Sequence, residues 1–180
     1  MDGLNYGTFY FFRTLARDTP ALHGVVRVFD VLGGLGVLAA IGLVLLVLLG
    51  GQRGYRAAAV AFAAGLAGVL LVEGLNRLIG TPRPPEMDET YAGVDLGPAF
   101  ASPAAFLSSF VYGLVPLAVA GLLPRRWQRI VVVAVCALMV MAIGFSQLYL
   151  RVEHLTGVLA GWALGVFMLL LCWQLTPSLK

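Results

Sequence analysis

The chain has 180 residues, 60% of them hydrophobic and 12% charged, with a formal net charge of +3 and a mean hydropathy of +0.92. That balance excludes a water-soluble globular fold, whose apolar share is nearer half, and makes lipid the solvent. The pI of about 9.1 does not point to nucleic acid, because the basic residues form short clusters beside apolar runs.

In chain order, the start Met1-Asp2-Gly3-Leu4-Asn5 lacks the basic region and short apolar core of a cleaved signal, so the mature chain is expected to begin there. Residues 6–12 are dense in aromatics, too few to span a bilayer, and followed by Arg13 and Arg17. That pattern predicts a helix over about residues 1–20 lying in the headgroup layer. Pro20 suits the first turn of the next helix, His23 falls near the interface, and Arg27 and Asp30 are spaced to pair before the first span.

Charge-free runs at 31–52, 96–124, 130–150 and 155–179 each reach the ~20 residues needed to cross about 30 Å of hydrocarbon. The run 57–72 becomes long enough only if Glu73 and the turn to Gly80 extend it. Such runs, without period-two alternation, are helices and not barrel strands. The expectation is an all-α integral membrane protein. It is a single membrane domain over 1–180, a bundle of about five transmembrane helices near 28–51, 57–79, 99–123, 129–150 and 154–175, plus the N-terminal interfacial helix.

Counting charges on alternate sides gives one end Arg53, Arg56, Arg125, Arg126, Arg129 and Lys180 with no acid, and the other end every Asp and Glu. The positive-inside rule makes the first end, with the C-terminus, cytoplasmic and turns the other toward the periplasm or exterior, as in a bacterial inner membrane. Cys136 and Cys172 sit inside apolar runs without neighbouring ligands and read as core. Trp127, Trp162 and Trp173 read as interfacial anchors or packing residues. Gly157, Gly161 and Gly165, spaced by four, form a small-residue face that suits close helix packing within the bundle.

The longest polar stretch, Arg77 to Asp95, contains Thr81-Pro82-Arg83-Pro84-Pro85 followed by Glu86, Asp88 and Glu89. Prolines on both sides of Arg83 hold its backbone extended, which aims a planar guanidinium of the kind that grips phosphate or carboxylate. The plainer reading is a solvated loop with a stiff turn.

These residues carry a family resemblance. Asn76-Arg77-Leu78-Ile79-Gly80-Thr81-Pro82-Arg83-Pro84 resembles the first motif of the type 2 phosphatidic-acid phosphatase superfamily, the lipid phosphate phosphatase and haloperoxidase-like group, in which a lysine stands where Asn76 is. Ala101-Ser102-Pro103-Ala104, followed by Phe106 and Tyr112-Gly113, is similar to the second motif, Pro-Ser-Gly-His, with only the serine retained. The run from Ser146 to Gly161 resembles the third, aligned through Tyr149-Leu150 and Val158-Leu159-Ala160-Gly161. There the family's arginine is replaced by Gln147, its nucleophilic histidine by Glu153 and its aspartate by Gly157. The order of spans and the N-terminal helix extend the likeness over roughly residues 1–175.

The resemblance implies a lipid phosphate phosphatase-like bundle. It also implies a reaction in which histidine accepts a phosphoryl group, basic residues clamp it, an aspartate orients the nucleophile and a second histidine protonates the leaving alcohol. Glu153 would have to form a mixed anhydride, and Ala104 cannot deliver a proton. Loss of the nucleophile alone removes roughly 10⁴ to 10⁶ in rate. The surviving phosphate or headgroup candidates are Arg83, Arg77 and Arg151, the last one turn from Gln147 if that segment is helical. The competing reading pairs Glu73 with Arg77, and Glu153 with Arg151 or Arg83, as a structural ion-pair network. His154, offset by one residue from the nucleophile position, faces elsewhere by about 100° on a helix. Ser102 before Pro103 has helix-cap chemistry that explains it without catalysis.

The expectation is therefore a catalytically inactive relative, a pseudoenzyme serving as an accessory subunit of a membrane complex or as a lipid-headgroup binder. Its partners are membrane lipids and other membrane subunits, with no nucleic acid, metal or cofactor. The alternative is an active phosphatase on lipid phosphates or polyprenyl pyrophosphates, using Arg83 with Arg77 or Arg151 and His154 as nucleophile. A transporter has little support, since Glu73 is the ionisable group nearest the spans.

Overall fold

The computed structural model describes residues 3–84, 86–88, 91 and 96–176. Pro85, Glu89 and Asp95 of the polar loop, and Met1, Asp2 and Lys180 at the ends, lie outside them. The elements are α1 (Gly3–Asp18), α2 (Leu22–Leu32), α3 (Leu35–Arg53), α4 (Tyr55–Ile79), α5 (Pro103–Val119), α6 (Arg126–Tyr149) and α7 (Leu155–Leu175). A short 3₁₀ turn, Ala120–Leu122, extends α5. The chain is an integral membrane protein. Among the described residues five helices are long and apolar enough to cross a bilayer, α5 with its 3₁₀ extension among them, with mean hydropathies between 1.9 and 2.4. Large apolar side chains such as Leu43, Val47, Leu70, Leu138 and Phe167 face outward, as they do where the solvent is lipid.

Helix α5 is the central post, packed against α3, α4, α6 and α7, and Phe106, Ser108, Phe110 and Leu114 along it are buried. Glycine lets α7 come this close. A Cβ on Gly161 would stand 2.6 Å from the Ser102 carbonyl oxygen, and one on Gly165 would stand 2.7 Å from that of Phe106. The face at Gly157, Gly161 and Gly165 is thus used inside the bundle. Cys136 and Cys172 are free and buried in the core.

The structure breaks the first apolar stretch at Gly33-Gly34, where Gly34 turns extended with ψ of 147°. The membrane-length helix begins at Leu35 instead of near residue 28. At the break α6 comes close: a Cβ on Gly33 would lie 2.5 Å from Ile143 Cγ2. Helix α2 therefore leans against α6 as a separate element. Helix α1 is fastened to the start of α7, with Asn5 Nδ2 donating to Thr156 Oγ1 at 3.0 Å and Thr156 N–H donating to Asn5 Oδ1 at 3.3 Å. Phe12 on α1 meets Phe145 on α6 edge-on at 5.4 Å.

Candidate functional site

The three motif segments converge at the end of the bundle opposite the arginine-rich turns. Helix α4 stops at Gly80, which takes the left-handed conformation (φ 61°) and donates its N–H to the Asn76 carbonyl. The chain then bridges Thr81 to Ala99, and Ser102 caps α5 by accepting from the Ala105 N–H at 3.2 Å, with Pro103 in the first turn. Helix α6 ends at Tyr149, and the connection to α7 folds back so that the Val152 N–H donates to the Gln147 carbonyl at 3.0 Å. The Ser102 N–H donates to the Gly157 carbonyl at 2.9 Å, joining the second segment to the third.

Asn76, at the lysine position of the first motif, is buried and makes three bonds to the second segment. It donates to the Ala101 carbonyl at 3.1 Å and accepts from the Phe100 and Ala101 N–H groups at 3.0 and 2.8 Å. A lysine ammonium has only donors and could not take those two amides. Asn76 is thus a fastener of the loop.

Arg83 is spent in the same way. Its Nη1 donates to Glu153 Oε1 at 2.7 Å and to the Val152 carbonyl at 2.9 Å, its Nε to the Gly97 carbonyl at 3.0 Å and its Nη2 to the Leu96 carbonyl at 3.2 Å. The Arg83 and Glu153 side chains are 11% and 2% exposed. Burial pushes the Glu153 carboxyl above its ordinary range, and Arg83 opposes that shift. Glu153 Oε2 is buried and has no hydrogen-bond partner among the described residues. A Cβ on Gly157 would stand 3.3 Å from that oxygen and 3.2 Å from the Phe100 carbonyl. Glu153 therefore extends its carboxylate toward the place where the family's aspartate would begin, and glycine at 157 keeps a second carboxylate away from it.

Gln147, at the arginine position, is buried and donates to Asp30 Oδ1 at 2.8 Å. The other oxygen of Asp30 accepts from the Tyr91 hydroxyl at 2.6 Å. Burial first, then the bond to Asp30, pushes the Tyr91 hydroxyl well above its ordinary range, so it stays a donor. This corrects the expected pairing of Asp30 with Arg27: among the described residues Asp30 makes no salt bridge to Arg27 and instead ties α2 to α6 and to the polar loop. Reading Asp30 by local spacing alone missed both true partners, which lie 61 and 117 residues away. His23 of α2 stands 3.8 Å from Asp88, on the same side as this network.

Arg77 does pair with Glu73, Nε to Oε1 at 2.9 Å, but both side chains are more than half exposed, where such a pair adds little stability. Arg151 departs from the helical placement. The helix has ended, Arg151 adopts a left-handed backbone (φ 56°), and its side chain lines a small recess with Asn5, Phe12 and Pro84 instead of the space beside Gln147. His154 lines that same recess as the residue before α7, with its ring Nε2 3.1 Å from the Pro82 carbonyl oxygen.

What the motif end does enclose is a cavity of about 550 Å³ between α3, α4, α5 and α6. Arg77, Arg83, Ala104, Gln147 and Glu153 line it together with Asp30, Glu73 and Tyr91; Asn76, Ser102, Arg151, His154 and Gly157 do not. Its remaining walls, Leu35, Val69, Leu70, Val72, Phe106 and Leu107, are apolar. The site is amphipathic: polar groups gather at the helix ends, and the apolar wall, where Leu35 and Leu70 are exposed, is open toward the surrounding lipid. Among the described residues no group of three or more His, Cys, Asp or Glu is placed to hold a metal.

A family model described as the PAP2 superfamily matches residues 56–180. No curated protein sequence matches the chain. The chain is similar in structure to the crystal structure of the first transmembrane PAP2 type phosphatidylglycerolphosphate phosphatase from Bacillus subtilis. The TM-score is 0.74 at 19% identity, over 98% of each chain. At that identity the likeness speaks for the fold.

Proposed function

Because the chain belongs to the PAP2 superfamily and is a lipid phosphatase-like membrane protein, we propose that it has kept the family's scaffold and lost its phosphoryl-transfer chemistry, holding a membrane lipid in the cavity instead of hydrolysing one. The observation that carries this reading is the Arg83–Glu153 pair, which occupies both the nucleophile position and the arginine best suited to a clamp. A carboxylate at 153 would yield a mixed anhydride with phosphorus, and no imidazole lines the cavity to take its place. At the acid position, Ala104 has no proton to give. A phosphate monoester carries about −1.5 to −2 and binds where several cations remain available, whereas Arg77 and Arg83 are each matched by a carboxylate.

In this reading the cavity mouth faces the periplasm or exterior and the turns bearing Arg53, Arg56, Arg125, Arg126 and Arg129 face the cytoplasm. The lipid-loaded chain serves alone or as an accessory subunit. Purification from native membranes in mild detergent separates these two settings by whether a stoichiometric polypeptide accompanies the lipid.

The test of inactivity is release of inorganic phosphate from phosphatidic acid, phosphatidylglycerolphosphate and a polyprenyl pyrophosphate by the purified chain. Background rates are expected for all three. Sustained turnover abolished by His154→Ala would establish an active phosphatase using that histidine and overturn the reading.

A further inference from the structure

The cavity's charge is the reverse of what a phosphate headgroup needs. Three carboxylates, Asp30, Glu73 and Glu153, line it against two guanidiniums, Arg77 and Arg83, an excess of one negative charge among the described residues. Two of the carboxylates are matched by the arginines. Among the described residues Asp30 is in no salt bridge: its two oxygens accept from Gln147 and Tyr91, both neutral donors. A carboxylate offers about four acceptor positions, so Asp30 keeps room for further donors.

We propose that the cavity binds a single-chain amphiphile with an ammonium head, the ammonium seated on Asp30 at the mouth and the hydrocarbon chain laid along Val69, Leu70, Phe106 and Leu107. The proposal rests on the reading of the site as a non-catalytic lipid pocket and names the head it prefers. An ammonium brings three donors and one positive charge to a carboxylate held in place by two neutral partners, and charge-assisted bonds are stronger than neutral ones. The cavity volume of about 550 Å³ falls within the ~300–1,000 Å³ of ligand sites, and its apolar walls account for the chain. A phosphate head in the same place would meet Asp30 with like charge.

Three probes with one chain and different heads decide the matter: hexadecylamine, hexadecanol and hexadecyl phosphate. Each is presented at equal mole fraction to the purified protein in detergent, and retention is read by native mass spectrometry. Hexadecylamine is expected to be retained roughly tenfold or more over hexadecyl phosphate, the scale of one charge-assisted bond. Asp30→Asn is expected to remove that preference. Tyr91→Phe, which leaves the carboxylate intact, is expected to keep it, and Val69→Trp, which fills the apolar end, to lower retention of amine and alcohol alike. Equal retention of amine and alcohol, preference for the phosphate, or no retention of any probe overturns the proposal. These outcomes are separable from failure of the underlying reading, which shows instead as phosphate released from hexadecyl phosphate.

Discussion

Arg83 Nη1 and Glu153 Oε1 meet at 2.7 Å across 70 residues of sequence, with almost none of either side chain in contact with solvent. Removing one member of such a pair strands the other charge in a poorly polar site. Arg83→Ala is expected to cost about 3–5 kcal/mol, and the double variant Arg83→Met, Glu153→Leu to recover the part due to the stranded charge but not the part due to the Leu96, Gly97 and Val152 carbonyls that lose their donor. Melting temperatures of the single and double variants in the same detergent check the cycle, and equal losses in both would refute it.

The same carboxyl gives the protein a pH dependence with a definite sign. Burial holds the folded-state pKa of Glu153 above its ordinary value of 4.5, so between those two values the folded state binds more protons than the unfolded one. Stability from this group is full below the ordinary value and is lost as pH rises through the raised one. Wild type should lose more stability than Glu153→Gln on going from about pH 4 to about pH 8. Parallel melting curves for the two proteins across that range would contradict the assignment.

Asn76→Ala should be among the most damaging changes at the motif end. It leaves the part-buried Phe100 N–H and the buried Ala101 N–H and carbonyl without their partner, a loss of about 2–5 kcal/mol when each orphaned group costs roughly 1–3 and local rearrangement recovers part. Asn76→Lys, which restores the family's residue type, is expected to be no better, since it supplies no acceptor. Thermal unfolding of the two variants side by side would expose a lysine that is tolerated.

The α5–α7 contact predicts a sharp contrast between glycines. A methyl group on Gly165 would collide with Ser109 and the Phe106 carbonyl, whereas one on Gly74 meets nothing within 4 Å. Gly165→Ala is expected to destabilise by about 1–3 kcal/mol or more. Gly74→Ala, in a helix interior, should be neutral or stabilising by up to ~1 kcal/mol. A melting shift of the same sign and size in both would remove the close-contact explanation.

The helices were legible because a bilayer leaves no water for backbone groups, so a spanning segment advertises itself as a long charge-free run. The break at Gly33-Gly34 was not, because hydropathy continues across it and the side chain packed against it, Ile143, lies more than a hundred residues on. Local pairs at helical spacing, such as Glu73 with Arg77, follow from helix geometry. Asp30 shows the limit of that rule: its partners come from a loop and from another helix, and only the assembled bundle brings them near. Arg151 shows a second limit, since placing it beside Gln147 presumed a helix that ends at Tyr149. The motif positions could be located from the resemblance alone, but that Asn76 fastens a loop, and that Arg83 makes four bonds to the chain, are facts of the fold.

Two joints between the motif segments are peptide to peptide, Ser102 to Gly157 and Ala99 to Thr81, and the others come from the Asn76 and Arg83 side chains. Amide and carbonyl are present whatever side chain a position carries, and Asn76 and Arg83 hold the rest by hydrogen bonds that need no reactive group. A fold jointed in this fashion can be stripped of its tools one by one and still close around the same hollow, which then becomes free to acquire a different tenant.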